Sequence, residues 1–126
     1  MLMIAAGGVL GTLSRYGLAG LVQRLAAGDA KLFPWGTLSV NVLGCFLLGL
    51  IIALTEGRFL IRPEFRMALT IGFLGAFTTF STYGYETFAL MNGGDWPRAA
   101  LNFLLNNALG LLAVWIGYRL GASNLV

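Results

Sequence analysis

Apolar positions along this chain fall into four long, nearly continuous runs, approximately residues 3–25, 35–55, 66–91 and 98–118. A helix rises ~1.5 Å per residue and needs roughly 20 apolar residues to cross the hydrocarbon of a bilayer, so each run has spanning length. The runs do not alternate between polar and apolar positions, which favours helices over barrel strands. The pattern therefore predicts an all-α integral membrane protein, a single membrane domain over residues 1–126 with four transmembrane helices. The first run lacks the basic start of a secretion signal and is interrupted by Arg15, so it reads as a helix of the mature protein.

The connections fit this division. Residues 26–34 mix Gly28, Asp29 and Lys31 with Pro34 and lead into Trp35, an aromatic placed for a membrane interface. Residues 56–64 form the most heavily charged stretch and read as solvated. Asn92-Gly-Gly-Asp-Trp-Pro97 is a turn by composition, with Pro97 suited to the first turn of a fourth helix.

Composition sharpens the class. With 58% hydrophobic and 10% charged residues, the chain has too little polar surface to cover a soluble domain. Its single cysteine, Cys45, gives no disulfide framework, and the absence of histidine argues against a zinc or iron site. A scattered net charge of +3 gives no basis for a nucleic-acid partner; the expected surroundings are lipid. Basic residues near the membrane set orientation. Here Arg58, Arg62, Arg66 and Arg119 on one side face Arg24, Lys31 and Arg98 on the other, a bias too small to fix one. Insertion in both orientations, with pairing of opposite copies, is the hypothesis this balance suggests.

The polar exceptions inside the runs are the candidate chemistry. Gly7 and Gly11, at GxxxG spacing, permit close backbone approach. Arg15 at depth either snorkels to the interface or lines an aqueous vestibule that attracts anions. Asn41 is an isolated amide in an apolar helix and needs a partner, as helix-to-helix glue or as part of a polar path. Asn102, Asn106 and Gly110, four apart, share a stripe that is either a hydrogen-bonded seam or a pathway wall, with Asn107 one residue aside. Glu86, about 9 Å along a helix from Asn92, is expected to reach water at that turn.

The third run is the least ordinary. Between Gly72 and Tyr83, Gly72 and Gly75 lower the helical tendency, and the hydroxyls of Thr78, Thr79, Ser81 and Thr82 compete for backbone carbonyls. A break is expected here, against the alternative of a continuous helix whose small residues pack. Carbonyls freed at such a break can coordinate sodium. Phe80 and Tyr83, three apart, share a face, and inward ring edges attract a small anion weakly, although ordinary packing explains the same spacing.

Gly-Phe-x-Gly-x-x-Thr-Thr-Phe-Ser-Thr from Gly72 to Thr82, Trp35-Gly-Thr-Leu-x-Val-Asn41 and Gly11-x-x-Ser-Arg15-Tyr16 together resemble the Fluc (CrcB) family of bacterial fluoride channels, over the whole chain in length and motif order. The resemblance implies an antiparallel dual-topology homodimer in the bacterial inner (cytoplasmic) membrane, with two fluoride pores and a structural sodium ion at its centre. It implies sodium held by the Gly75 and Thr78 carbonyls, and a fluoride path along Asn41, Phe80, Ser81, Thr82 and Tyr83, with Asn102, Asn106 and Arg15 as further members. Tyr83 departs from the family, which usually has phenylalanine there. The alternative is a small dual-topology multidrug/proton antiporter, which needs a carboxylate in its first helix; residues 3–25 contain none. No catalytic constellation or nucleotide motif points to an enzyme.

Overall fold

A computed structural model of the protein describes residues 1–26, 28, 33–56 and 61–123. Asp29, Lys31 and Arg58, on which part of the loop-charge balance rests, lie outside them. The described residues are helical apart from short turns, and no strand occurs among them. Helices α1 (Leu2–Leu25), α2 (Trp35–Glu56) and α6 (Trp96–Ser123) are each long and apolar enough to cross a membrane. Between α2 and α6 the chain is built of shorter pieces: α3 (Pro63–Met67), a π-helical stretch (Ala68–Leu74), α4 (Gly75–Phe77) and α5 (Phe80–Asn92). Pro63 sits at the start of α3, where a missing N–H costs nothing. The Thr70 hydroxyl donates to the Arg66 carbonyl at 2.9 Å, competing with the regular ladder where the helix widens.

Side-chain pairings give the helix directions. Along α2 and α6, Asn41 meets Asn106, Gly110 lies beside Cys45, Gly49 beside Val114 and Gly121 beside Ala53. The numbers rise together, so the two helices run parallel. Gly7 lies against Ala68 and Gly11 against Phe73, so α1 runs parallel to the third segment. At the α1–α2 connection, Gln23 donates to the Phe33 carbonyl at 3.0 Å and accepts from the Gly36 amide at 3.1 Å, stapling two antiparallel helices. The bundle is therefore up, down, up, down.

In lipid there is no hydrophobic force to bring helices together, so close backbone approach has to supply the contact. Gly7 and Gly11 do this for α1, because a Cβ on either would collide with backbone of the π-helical stretch. Gly49 and Gly117 do it reciprocally for α2 and α6. A small buried core of Val40, Leu74 and Phe77 lies where α1, α2 and the third segment meet, with Leu18, Leu47 and Phe73 packed around it. Large side chains such as Leu13, Leu104, Leu111 and Trp115 remain exposed, as a lipid-facing surface requires. The fourth helix runs past the hydropathy limit at Tyr118 to Ser123, because Gly121 packs on Ala53 and Leu50.

Candidate functional site

The site is built on two residues, Thr78 (φ −89°, ψ 159°) and Thr79 (φ −152°, ψ 111°), which lie extended between α4 and α5. Backbone that leaves the helix inside hydrocarbon must find partners within the protein. Thr79 finds both in one side chain: its amide donates to Asn41 Oδ1 at 2.9 Å, and Asn41 Nδ2 donates to its carbonyl at 3.2 Å. The Asn41 amide thus stands in for one rung of a sheet. The Thr78 hydroxyl donates back to the Leu74 carbonyl at 3.0 Å, closing the end of α4. Thr79 opens α5, its hydroxyl oxygen accepting from the Thr82 amide at 3.2 Å as an N-cap. Gly44 leaves the space on α2 that the Thr78 methyl occupies.

These bonds redirect two backbone donors. In an unbroken helix the Thr79 amide would donate to the Gly75 carbonyl, and the Thr82 amide to the Thr78 carbonyl. Here they turn to Asn41 and to the Thr79 hydroxyl, leaving the Gly75 and Thr78 carbonyls without those partners. Gly75 is exposed.

A chain of amides fixes the start of α5. The second Asn41 hydrogen goes to Asn106 Oδ1 at 3.0 Å, and Asn106 Nδ2 donates to Asn102 Oδ1 at 2.9 Å. Asn102, 0% exposed, donates to the Thr87 hydroxyl at 2.9 Å, which donates to the Tyr83 carbonyl at 2.8 Å. The stripe Asn102–Asn106 is a hydrogen-bonded seam joining α2, α5 and α6.

A cavity of 310 Å³ opens beside this seam, lined by Asn41, Gly75, Thr78, Phe80, Tyr83 and Asn106 among others. The Phe80 and Tyr83 rings meet edge to face, centroids 5.5 Å apart at 63°. Phe80 is 82% exposed and Tyr83 only 7%. Arg15 and Thr82 are not on this wall; they line a second cavity of 350 Å³ among α1, α2 and the start of α5. Thr79 borders both cavities and so separates them. Asn102 lines neither, and Ser81 is exposed, 3.5 Å from the Thr79 hydroxyl.

Two features differ from the sequence reading. Glu86 does not reach out to the polar turn: it is half-buried, Oε1 accepts from the Thr37 hydroxyl at 2.7 Å, and Oε2 is buried with no partner among the described residues. Thr37, across from it on α2, intercepts the carboxylate before the turn does. Asn107, set aside as off the stripe, donates to the Tyr83 hydroxyl at 3.1 Å. An amide one residue from a polar stripe was the only sequence signal for that contact. No group of histidine, cysteine, aspartate and glutamate suited to a metal occurs among the described residues.

Residues 2–118 match the family described as CrcB-like protein, Camphor Resistance (CrcB). The chain is 49% identical over 117 residues to a fluoride-specific ion channel FluC of Nitrosococcus oceani, covering 93% of this chain and 91% of the relative. It is 50% identical over 117 residues to the fluoride-specific ion channel FluC of Geobacter sulfurreducens, covering 93% and 92%. To that of Thermus thermophilus it is 49% identical over 124 residues, covering 97% and 94%. Three spanning helices and this kinship make it a multi-pass membrane protein. The chain belongs to the CrcB-like family.

Proposed function

We propose that the protein is a passive fluoride-selective channel that carries fluoride out of the bacterial cytoplasm across the inner membrane, working as an antiparallel dual-topology homodimer with two pores. The relatives' shared name as fluoride-specific channels, at about half identity over nearly the whole chain, supports the substrate. The observation that carries the mechanism is the cavity where the Asn41–Thr79 clamp stands beside the Phe80–Tyr83 ring pair.

Fluoride must exchange its water for donors strong enough to admit it and weak enough to release it. Aromatic edges are such donors, carrying partial positive charge without a full cation. The amide hydrogens of Asn41 are both engaged within the chain, so Asn41 and Asn106 act by shaping the wall that presents Phe80 and Tyr83. Thr82 and Arg15, in the adjoining cavity, form the approach, where a guanidinium attracts the anion. Thr79, shared by both cavities, marks the passage, with Ser81 beside it. Fluoride that enters an acidified cell as the neutral acid dissociates inside; a leak open to the anion lets the membrane potential expel it.

A sodium ion at the centre of the dimer fits the residues present. The Gly75 and Thr78 carbonyls, relieved of their helical donors, are hard oxygen ligands of the kind sodium takes at unwound helices, and the exposed Gly75 leaves room for a second copy. When bound, sodium supplies a fixed positive charge that ties two copies together. The chain's own contribution is the clamp that keeps those carbonyls out of the ladder.

The antiporter reading lacks its carboxylate: α1 has no acid, and Glu86 lies on α5 against Thr37. Proteoliposomes loaded with potassium fluoride and treated with a potassium ionophore decide the question. Rapid fluoride release without a pH gradient, and no matching chloride release, is the expected result; no fluoride release rejects the channel.

A further inference from the structure

Tyr83 carries a polar group that the ring-edge mechanism does not use. Its hydroxyl is held from one side by Asn107 Nδ2 at 3.1 Å. The same nitrogen donates to the Phe103 carbonyl at 2.7 Å, one helical turn back. That second bond decides which way the amide faces. Turned over, Asn107 would set its own carbonyl oxygen against the Phe103 carbonyl, two acceptors with no hydrogen between them. The Tyr83 oxygen is therefore the acceptor of this pair, and its one hydrogen must point elsewhere. Among the described residues no acceptor meets it, while Tyr83 and Asn107 both line the 310 Å³ cavity. The hydrogen faces that cavity, where an anion makes a stronger acceptor than neutral water.

We infer that the Tyr83 hydroxyl donates a hydrogen bond to fluoride in passage, and that Asn107 is the positioning residue that fixes the hydroxyl in this donor sense. The inference rests on the fluoride-channel reading. It adds a true hydrogen-bond donor to the pathway, supplied by the pair Tyr83 and Asn107. A phenylalanine at position 83 has no such group. Hydrogen bonding favours the compact, strongly accepting fluoride over chloride, so the pair also serves as a specificity device.

The test is a double-mutant cycle in proteoliposomes, reading the fluoride concentration that half-saturates efflux. Tyr83→Phe raises it about tenfold, the size of one modest hydrogen bond to a charged group. Asn107→Leu raises it in the same direction, but adds less than about twofold in the Tyr83→Phe background, because the group it positions is gone. Asn107→Asp, nearly isosteric, accepts the tyrosine hydrogen and withdraws it from the anion, so it matches or exceeds the Tyr83→Phe effect. A near-ultraviolet tyrosine difference spectrum on adding sodium fluoride to purified protein should appear in the wild type and vanish in Tyr83→Phe. Equal effects of Asn107→Leu in both backgrounds overturn the inference, as does an unchanged half-saturation in Tyr83→Phe while the wild type conducts. Wild-type vesicles that release no fluoride overturn the channel reading itself, and this one with it.

Discussion

At the scale of single residues, Asn41 does the most with the least. One amide satisfies both backbone groups of Thr79 and still reaches Asn106. Replacing it by leucine keeps the volume but strands the Thr79 amide and carbonyl, at about 1–3 kcal/mol for each buried group left unmade. Asn41→Leu should therefore lower the thermal unfolding midpoint in detergent and cut fluoride efflux at least about tenfold, as loss of several such bonds implies. Wild-type efflux from that variant would remove Asn41 from the mechanism. Tyr83→Phe makes the opposite kind of change, since the ring and its 5.5 Å edge contact with Phe80 survive and only the hydroxyl goes. Fluoride should remain preferred over chloride with an altered rate in the liposome assay, and an identical rate would contradict the role given to the hydroxyl.

At the scale of elements, the third segment depends on what its neighbours leave out. Gly44 on α2 has no side chain because the Thr78 methyl lies where a Cβ would stand. Gly44→Ala should push Thr78 off α2, disturb the extended pair and suppress fluoride efflux. Combining it with Thr78→Ser removes the colliding methyl while keeping the hydroxyl that bonds the Leu74 carbonyl, so the double variant should recover much of the flux. A double variant as inactive as Gly44→Ala would show that the methyl collision is not the cause. This dependence marks the limit of what the sequence discloses. Helix lengths follow from apolar runs, and the need of Asn41 for a partner follows from the cost of a bare amide in hydrocarbon. That its partner is the Thr79 backbone, or that residues 68–74 widen to a π-helix, depends on packing between segments far apart in the chain. Glu86 shows the same limit: distance along its own helix pointed to the turn, and Thr37 on another helix took the carboxylate. Asn107 falls outside the stripe because stripe logic counts neighbours on one helix, whereas its bond crosses to α5.

At the scale of the whole molecule, Gly75 and Phe80 are exposed close to the carbonyls released by the break. If sodium bridges two copies there, replacing sodium by a bulky organic cation should lower the thermal midpoint of the purified protein, since a ligand bound only by the folded dimer stabilises it; an unchanged midpoint would argue against the ion. Orientation can be tested independently. Four basic residues on one side and three on the other give almost no orienting bias. Adding two lysines at the Asn92–Pro97 turn should hold that turn in the cytoplasm, and adding two at the C-terminus should hold the opposite orientation. If the working unit is an antiparallel pair, each locked variant alone gives a population of one orientation and no fluoride resistance in cells. Expressed together, they restore it, because each supplies the orientation the other lacks. The wild type, tagged at its C-terminus with a reporter active only in the cytoplasm and separately with one active only outside, should give signal with both. Full activity from one locked variant alone would show that parallel copies suffice, and the balance of basic residues would then carry no functional meaning.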